Sequence, residues 1–264
     1  MSHVLNCRVL EYGEEHYVEL PKHDLGEDNP IYVGFEIEYI DSEAIVVRGK
    51  EWPLVYENKV PQRIFDRLNQ QNLLDYAKST LDSSVSGELV TAPLSVEYLV
   101  SEPGRDLLRT FESILRDSGA VTDEANHLRW RHRGRSEKCS VGGHIHVSCT
   151  DMDTISQVAR FIGLTWPYWQ SISGRTDLSP WAVFPRVGKD GEVRIDHHTA
   201  VHLDRETVEF RFWGATGFAH TLLERALLCV DVVKYVSGLK KMTRDSKGYA
   251  DSMLMGLLCK RKIF

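Results

Sequence analysis

The stretch Val33-Gly34-Phe35-Glu36-Ile37-Glu38-Tyr39 has the alternating pattern of a β-strand with one apolar and one acidic face. Successive side chains of a strand point to opposite faces of its sheet. The apolar residues therefore share one face, whereas Glu36 and Glu38 lie on the other. This pattern predicts a strand that buries one face in a core and presents two carboxylates on the opposite face.

The same alternation occurs in two later stretches of the chain. In the sequence GGHIHVS (142–148), His144, His146 and Ser148 share a polar face opposite the two apolar residues. In the sequence VEFRF (208–212), Glu209 and Arg211 share a face opposite three apolar residues. Each of these strands thus has one face for a hydrophobic core and one face that carries ionisable or polar groups.

Polar faces of this kind can form one site if the three strands lie in the same sheet. Carboxylates that are crowded together repel each other, and their burial without a partner is costly. Divalent cations remove that cost; a carboxylate-rich ligand set suits Mg²⁺ or Mn²⁺, and the histidine slightly favours tolerance of Mn²⁺. Asp82 and Glu88 flank a turn of small residues in LDSSVSGELV (81–90) and could add two more oxygen ligands.

Each of these patterns also has a purely structural interpretation. Two acidic residues on one strand face are usually solvated, and a Glu–Arg pair on one face is usually a surface ion pair. Two histidines on one strand face are more suggestive of metal binding. The presence of all three patterns in one chain, each with the same alternation, favours a functional site over coincidence.

The composition is that of an ordinary globular protein and narrows the classes of function. The chain has 264 residues, with 32 Lys and Arg against 38 Asp and Glu, and a formal charge of −6 does not favour general nucleic-acid binding. None of the five cysteines forms a C-x-x-C pair. The sequence has no signal-peptide pattern and no apolar run of the ~20 residues that a membrane span needs. We therefore expect a cytoplasmic protein without a membrane partner.

Strand patterns scattered among helices, without a regular βαβ rhythm, favour an α+β fold over a parallel doubly wound sheet. We predict one strand over residues 31–40, a loop over residues 174–192 and two strand-like runs within residues 193–213. Apolar spacing and Pro or Gly signals predict helices over residues 61 to about 78, 104–118, 153–173 with a kink or end at Pro167, 222–236 and 250–259. Neither common nucleotide-binding glycine motif is present.

In this order, the motifs GFEIEY, DSSVSGELVTAPL, GGHIHVS and TVEFRF resemble those of the amidoligases of the glutamine synthetase superfamily. That superfamily includes glutamine synthetase and glutamate–cysteine ligase. The resemblance covers roughly residues 31–240 and implies a glutamine-synthetase-like fold, in which a curved antiparallel sheet forms a half-barrel backed by helices. On this basis residues 1–30 are an N-terminal extension, residues 31–240 the catalytic domain and residues 241–264 a C-terminal helical tail.

The resemblance also implies roles for individual residues. Six residues match the positions of the family's metal ligands: Glu36, Glu38, Asp82, Glu88, His144 and Glu209. The family's second motif is rich in glycine and aspartate, and this chain departs from it with DSSV, which begins at Asp82. His146 and Ser148 match residues that contact nucleotide or substrate. Arg211 matches the phosphate-binding arginine, Arg194 resembles a second arginine that precedes the last strand, and with His146 these arginines are the candidate catalytic residues.

The resemblance implies an ATP-dependent ligase that joins a carboxylate to an amine through an acyl phosphate, with Mg²⁺ or Mn²⁺ as cofactor. The substrates would be small molecules or peptides, and the sequence leaves both their identity and the oligomeric state open. Two other classes stay open as alternatives. A metal-dependent hydrolase of the phosphoesterase type would use the same residues without ATP, and a non-catalytic relative would bind metal and nucleotide without turnover.

The most basic stretch of the chain is RWRHRGRSEK (129–138), which contains five cations and one acid. It leads directly into the strand that carries His144 and His146. We predict a loop near the mouth of the site, mobile without ligand, that binds ATP or an acidic substrate, with Arg131 and Arg133 as candidate contacts. The alternative is a solvated surface loop.

Overall fold

The structure is a computed structural model. It describes residues 5–11, 14–26, 28–41, 59–80, 85–122, 129–132, 135–138, 141–149, 151–175, 182–196, 198–204 and 206–261.

Helices and strands are mixed in the described part of the chain, which contains seven α-helices and an open antiparallel sheet of eight strands. The α+β class predicted from the sequence is therefore confirmed. The finer prediction of a glutamine-synthetase-like half-barrel stays a prediction. Among the described residues, no helix is both long enough and apolar enough to cross a membrane.

The helices and strands are numbered separately in chain order. The helices are α1 (Val60–Gln70), α2 (Val96–Val100), α3 (Glu102–Ser118), α4 (Met152–Leu164), α5 (Trp166–Ile172), α6 (Ala219–Val236) and α7 (Lys247–Arg261), with a 3₁₀ turn at Arg244–Ser246. The strands are β1 (Leu5–Glu11), β2 (Glu14–Leu20), β3 (Tyr32–Asp41), β4 (Ala77–Thr80), β5 (Gly87–Thr91), β6 (Leu94–Ser95), β7 (Ala120–Val121), β8 (Arg129–His132), β9 (Arg135–Lys138), β10 (Gly142–Ser148), β11 (Val201–Asp204) and β12 (Thr207–Gly214).

The chain divides into two compact units. Met1–Gly143 and Gly214–Leu222 form the first unit, and His144–Trp213 and Leu223–Phe264 form the second. Strands β1 and β2 pair as an antiparallel hairpin within the first unit.

Strand β3 organises the first unit. It pairs with β5, β6 and β7, and β5 pairs with β4, all antiparallel. The apolar residues Val33, Ile37 and Tyr39 are fully buried, whereas Glu36 and Glu38 are partly exposed. The alternation predicted from the sequence is therefore confirmed on this strand, and its apolar face is part of the core.

Helix α3 shows how local signals in the first unit set the ends of an element. The Ser101 side chain accepts a hydrogen bond from the Gly104 amide at the start, and Gly119 adopts a left-handed φ of 80° at the end. Between them, residues such as Leu107, Phe111 and Ile114 recur at helical spacing and are buried. The helix predicted over residues 104–118 is confirmed.

An aromatic cluster forms much of the core of the second unit. The rings of Phe212 and Trp169 have centroids 5.3 Å apart, and those of Phe212 and Phe184 are 5.6 Å apart. Trp169 is fully buried, and its indole N–H donates a 2.7 Å hydrogen bond to the hydroxyl oxygen of Thr165. These contacts bury the apolar face of β12 and leave its alternate residues for the opposite face.

Two predicted helices differ from the structure in length or continuity. The helix that begins near Pro61 ends at Gln70, not near residue 78, because Asn72 adopts a positive φ of 57° and β4 then pairs with β5. The segment predicted over residues 153–173 is two helices, α4 and α5, with Pro167 in the first turn of the second. That interruption confirms the predicted role of Pro167, which has no N–H to continue a helix.

The prediction of a loop over the basic stretch is wrong for most of its residues. Strands β8 and β9 form an antiparallel pair in which Arg129 is opposite Lys138 and His132 is opposite Arg135. Pairing of the two strands satisfies the backbone N–H and C=O groups of a segment that has little apolar surface to bury. The predicted mobility of this stretch and its binding of an anionic ligand stay predictions.

Substitution of alanine at two helical glycines of the second unit should change the free energy of unfolding in opposite directions. A Cβ at Gly163 would lie 2.3 Å from the Pro185 carbonyl oxygen, whereas a Cβ at the exposed Gly256 would meet nothing within 4 Å. Gly163→Ala should lower the free energy of unfolding by about 1–3 kcal/mol through overpacking. Gly256→Ala should raise it by about 0.5–1 kcal/mol because alanine loses less backbone entropy. Urea denaturation measures both changes, and a neutral Gly163→Ala variant would contradict the close approach.

Candidate metal centre

A buried carboxylate on β12, that of Glu209, lies between a histidine and an arginine of the second unit. Its Oε1 atom is 3.1 Å from Nδ1 of His144 and 3.3 Å from Nε of Arg211. The side chains of Glu209 and His144 are 7% and 9% exposed, and that of Arg211 is 20% exposed. Because a buried carboxylate is costly without partners, these two neighbours offset part of the cost of burying it.

Within the second unit, His144 and Glu209 could hold a metal ion together. The Nδ1 atom of His144 and the Oε1 atom of Glu209 are 3.1 Å apart. Ligand atoms of a divalent ion lie ~2.0–2.6 Å from it, so two atoms at this spacing can bind one ion. A carboxylate oxygen and an imidazole nitrogen are donors that divalent cations such as Mn²⁺ accept. The role of Glu36 as a further ligand stays a prediction.

Two further carboxylates of the predicted ligand set face each other across strands of the first unit. Glu38 on β3 and Glu88 on β5 are register partners. Two like charges in this position are destabilising unless other groups compensate for them. The Gly142 amide donates a hydrogen bond to Oε2 of Glu38, and the Thr80 hydroxyl donates a 3.0 Å hydrogen bond to Oε1 of Glu88. Each carboxylate thus has a neutral donor that offsets part of this repulsion.

His146 lies two residues beyond His144 on β10 and is also buried. Its Nδ1 atom is 3.3 Å from the hydroxyl oxygen of Thr207, which is buried as well. This contact fixes the orientation of the imidazole ring. Ser148 is partly exposed at the end of the strand. Contact of His146 and Ser148 with nucleotide or substrate stays a prediction.

The remaining candidate residues are placed less completely. Asp82 and Arg133 lie outside the residues that the structure describes, and Arg131 lies on β8 with a side chain outside that description. Arg194 is in an ion pair, with its Nε atom 3.0 Å from Oδ2 of Asp196. The Arg194 side chain is 89% exposed, which is typical of a surface ion pair, and its role as a second phosphate-binding arginine stays a prediction.

One ionisable residue next to Glu209 was not among the site residues predicted from the sequence. His202 on β11 is the register partner of Glu209 on β12. The alternation in Val201-His202-Leu203-Asp204 was a signal that His202 belongs to a polar strand face. Its position opposite Glu209 depends on the pairing of two strands, which local alternation does not specify.

Comparison of the chain with protein-family models found no match, and comparison with curated proteins found none either.

Proposed function

We propose that this protein is an ATP- and metal-dependent ligase that joins a carboxylate to an amine. The observation that carries the proposal is the buried Glu209 carboxylate, whose Oε1 atom contacts both His144 and Arg211. A divalent ion beside a fixed guanidinium suits the binding of phosphoryl oxygens, which carry the charge during phosphoryl transfer. The resemblance of four ordered motifs to those of amidoligases supports the same reaction.

In this proposal the acidic strands hold the cations. His144 and Glu209 would hold one divalent ion, either Mg²⁺ or Mn²⁺, and Glu38 and Glu88 would contribute oxygen ligands to a second one. The resemblance adds Glu36 to these ligands. A bound divalent ion would supply Lewis acidity toward the phosphoryl oxygens of ATP. His144 and Glu209 are buried, and this low exposure to solvent would strengthen their electrostatic contacts with a bound ion.

The reaction transfers the terminal phosphoryl group of ATP to a carboxylate oxygen, which gives an acyl phosphate and ADP. The amine nitrogen then attacks the acyl carbon, loses a proton and displaces inorganic phosphate, which leaves an amide. Arg211 would bind phosphoryl oxygens through its planar fork of N–H donors. His146, oriented by Thr207, and Ser148 at the end of β10 would contact nucleotide or substrate.

Product analysis tests this proposal. The protein is incubated with ATP, Mg²⁺ or Mn²⁺, and pooled carboxylates and amines, and nucleotide products are separated by chromatography. We expect ADP and inorganic phosphate in equal amounts, dependent on the metal and on both pools. AMP and pyrophosphate as the products would contradict the acyl-phosphate route.

The same assay separates the two alternative functions. A hydrolase of the phosphoesterase type would release phosphate from phosphoesters with metal but without any nucleotide. A non-catalytic relative would bind metal and nucleotide in a calorimeter but release no ADP with any pool.

A further inference from the structure

His202 lies across from Glu209 in the sheet of the second unit. Strands β11 and β12 are antiparallel, with His202 and Glu209 as register partners, and the Arg211 amide donates a 2.9 Å hydrogen bond to the Ala200 carbonyl in the same register. Side chains of register partners lie on one face of a sheet, with Cβ atoms ~4.5–5.5 Å apart. On its other side β12 neighbours β10, which carries His144. Glu209 thus has a histidine on each side.

The ring of His202 has a polar atom that the described residues do not satisfy. Its Nδ1 atom is buried and has no hydrogen-bond partner among them, although the side chain as a whole is partly exposed. Buried polar atoms of native proteins are paired with protein, water or ligand, because an unpaired one keeps its full desolvation cost. A ligand that reaches this face of β11 would provide the missing partner.

The strand order indicates which part of a ligand His202 can reach. Strand β11 is two strands away from β10, which corresponds to about 10 Å at the usual spacing between strands. His202 is therefore well separated from His144. An atom of the ligand that the ion binds would therefore lie next to His202. Arg211 shares this face of the sheet and contacts Glu209 through Nε. His202 and Arg211 both offer N–H donors beside the Glu209 carboxylate, which suits an oxyanion.

We propose that His202 is an oxyanion-binding residue of this site. Its imidazole donates a hydrogen bond to a phosphoryl or carboxylate oxygen of the ligand that the metal ion holds. This assignment rests on the proposed function, because the bound ion belongs to that proposal. The assignment places a binding residue on β11, which carries none of the predicted metal ligands.

Calorimetry with His202 variants tests this assignment without any need for turnover. His202→Leu removes both ring nitrogens, and His202→Asn keeps an amide donor near the position of Nδ1. His202→Ala replaces His202→Leu if the latter does not fold. Each protein is titrated with Mn²⁺ alone, and then in the presence of Mg²⁺ with AMP-PNP, ADP and succinate as separate probes. AMP-PNP and ADP differ in the terminal phosphoryl group, and succinate is a simple carboxylate.

We expect His202→Leu to weaken binding of at least one oxyanion about tenfold, as for the loss of one hydrogen bond to a charged group. His202→Asn should keep most of the affinity, and Mn²⁺ alone should bind equally well to all three proteins. A loss with AMP-PNP but not ADP assigns His202 to the terminal phosphoryl group, and a loss with succinate alone assigns it to the carboxylate.

Two results would overturn the assignment while leaving the proposed function intact. The first is wild-type affinity of His202→Leu for all three oxyanions, and the second is an equal loss of affinity for Mn²⁺ alone. A wild-type protein that binds neither Mn²⁺ nor AMP-PNP would instead overturn the proposed function, and the role of His202 with it.

Discussion

The Glu209→Gln variant is expected to bind Mn²⁺ at least about 100-fold more weakly than the wild-type protein, because it loses a ligand and not merely a supporting contact. In the proposed site Glu209 is a metal ligand beside His144, and its carboxylate contacts the His144 ring. The amide of glutamine keeps the size of the side chain but removes the charge that attracts the cation. Electron paramagnetic resonance of free Mn²⁺ measures the affinity directly.

A matched substitution separates loss of the site from a general loss of charge. Glu224→Gln removes one carboxylate from the exposed face of α6 and should leave Mn²⁺ affinity at the wild-type value. Equal Mn²⁺ affinity in Glu209→Gln and Glu224→Gln would mean that Glu209 has only a structural role, as the partner of His144 and Arg211.

The Arg211→Lys variant is expected to lose turnover by about tenfold or more. Lysine keeps a positive charge near Glu209 but has no planar fork that can donate two parallel hydrogen bonds to a phosphoryl group. Because the charge beside Glu209 is retained, Mn²⁺ affinity should change little. Steady-state ADP release, measured beside Mn²⁺ binding on the same preparation, distinguishes phosphate contact from support of the metal ligand.

Arg186→Lys is the control for this substitution, since Arg186 is an exposed arginine of the second unit. Its ADP release should equal that of the wild-type protein. If Arg211→Lys also retains full turnover, Arg211 is only the ion-pair partner of Glu209, which is the structural interpretation of the EFR pattern.

Local alternation was enough to predict which side chains share a strand face. A strand places every second residue on the same side whatever it pairs with, so Glu36 with Glu38, and Glu209 with Arg211, could be assigned from the sequence. The apolar residues of β3 are buried as this pattern requires. The C-terminal end of α3 was also predictable, because the Gly119 signal acts within a few residues of the helix end.

Strand pairing was not predictable from the sequence, because register depends on residues far apart in the chain. The opposition of Glu38 to Glu88, and that of His202 to Glu209, follow from pairing alone. The same reason explains the overlong first helix: its apolar spacing continues past Gln70, but the turn at Asn72 and the pairing of β4 with β5 end it.

Anomalous scattering from crystals grown with MnCl₂ tests the central claim most directly. We expect a manganese peak ~2.0–2.6 Å from a carboxylate oxygen of Glu209 and from a ring nitrogen of His144. Manganese peaks confined to other parts of the molecule, with Glu209 still paired to His144 and Arg211, would contradict it.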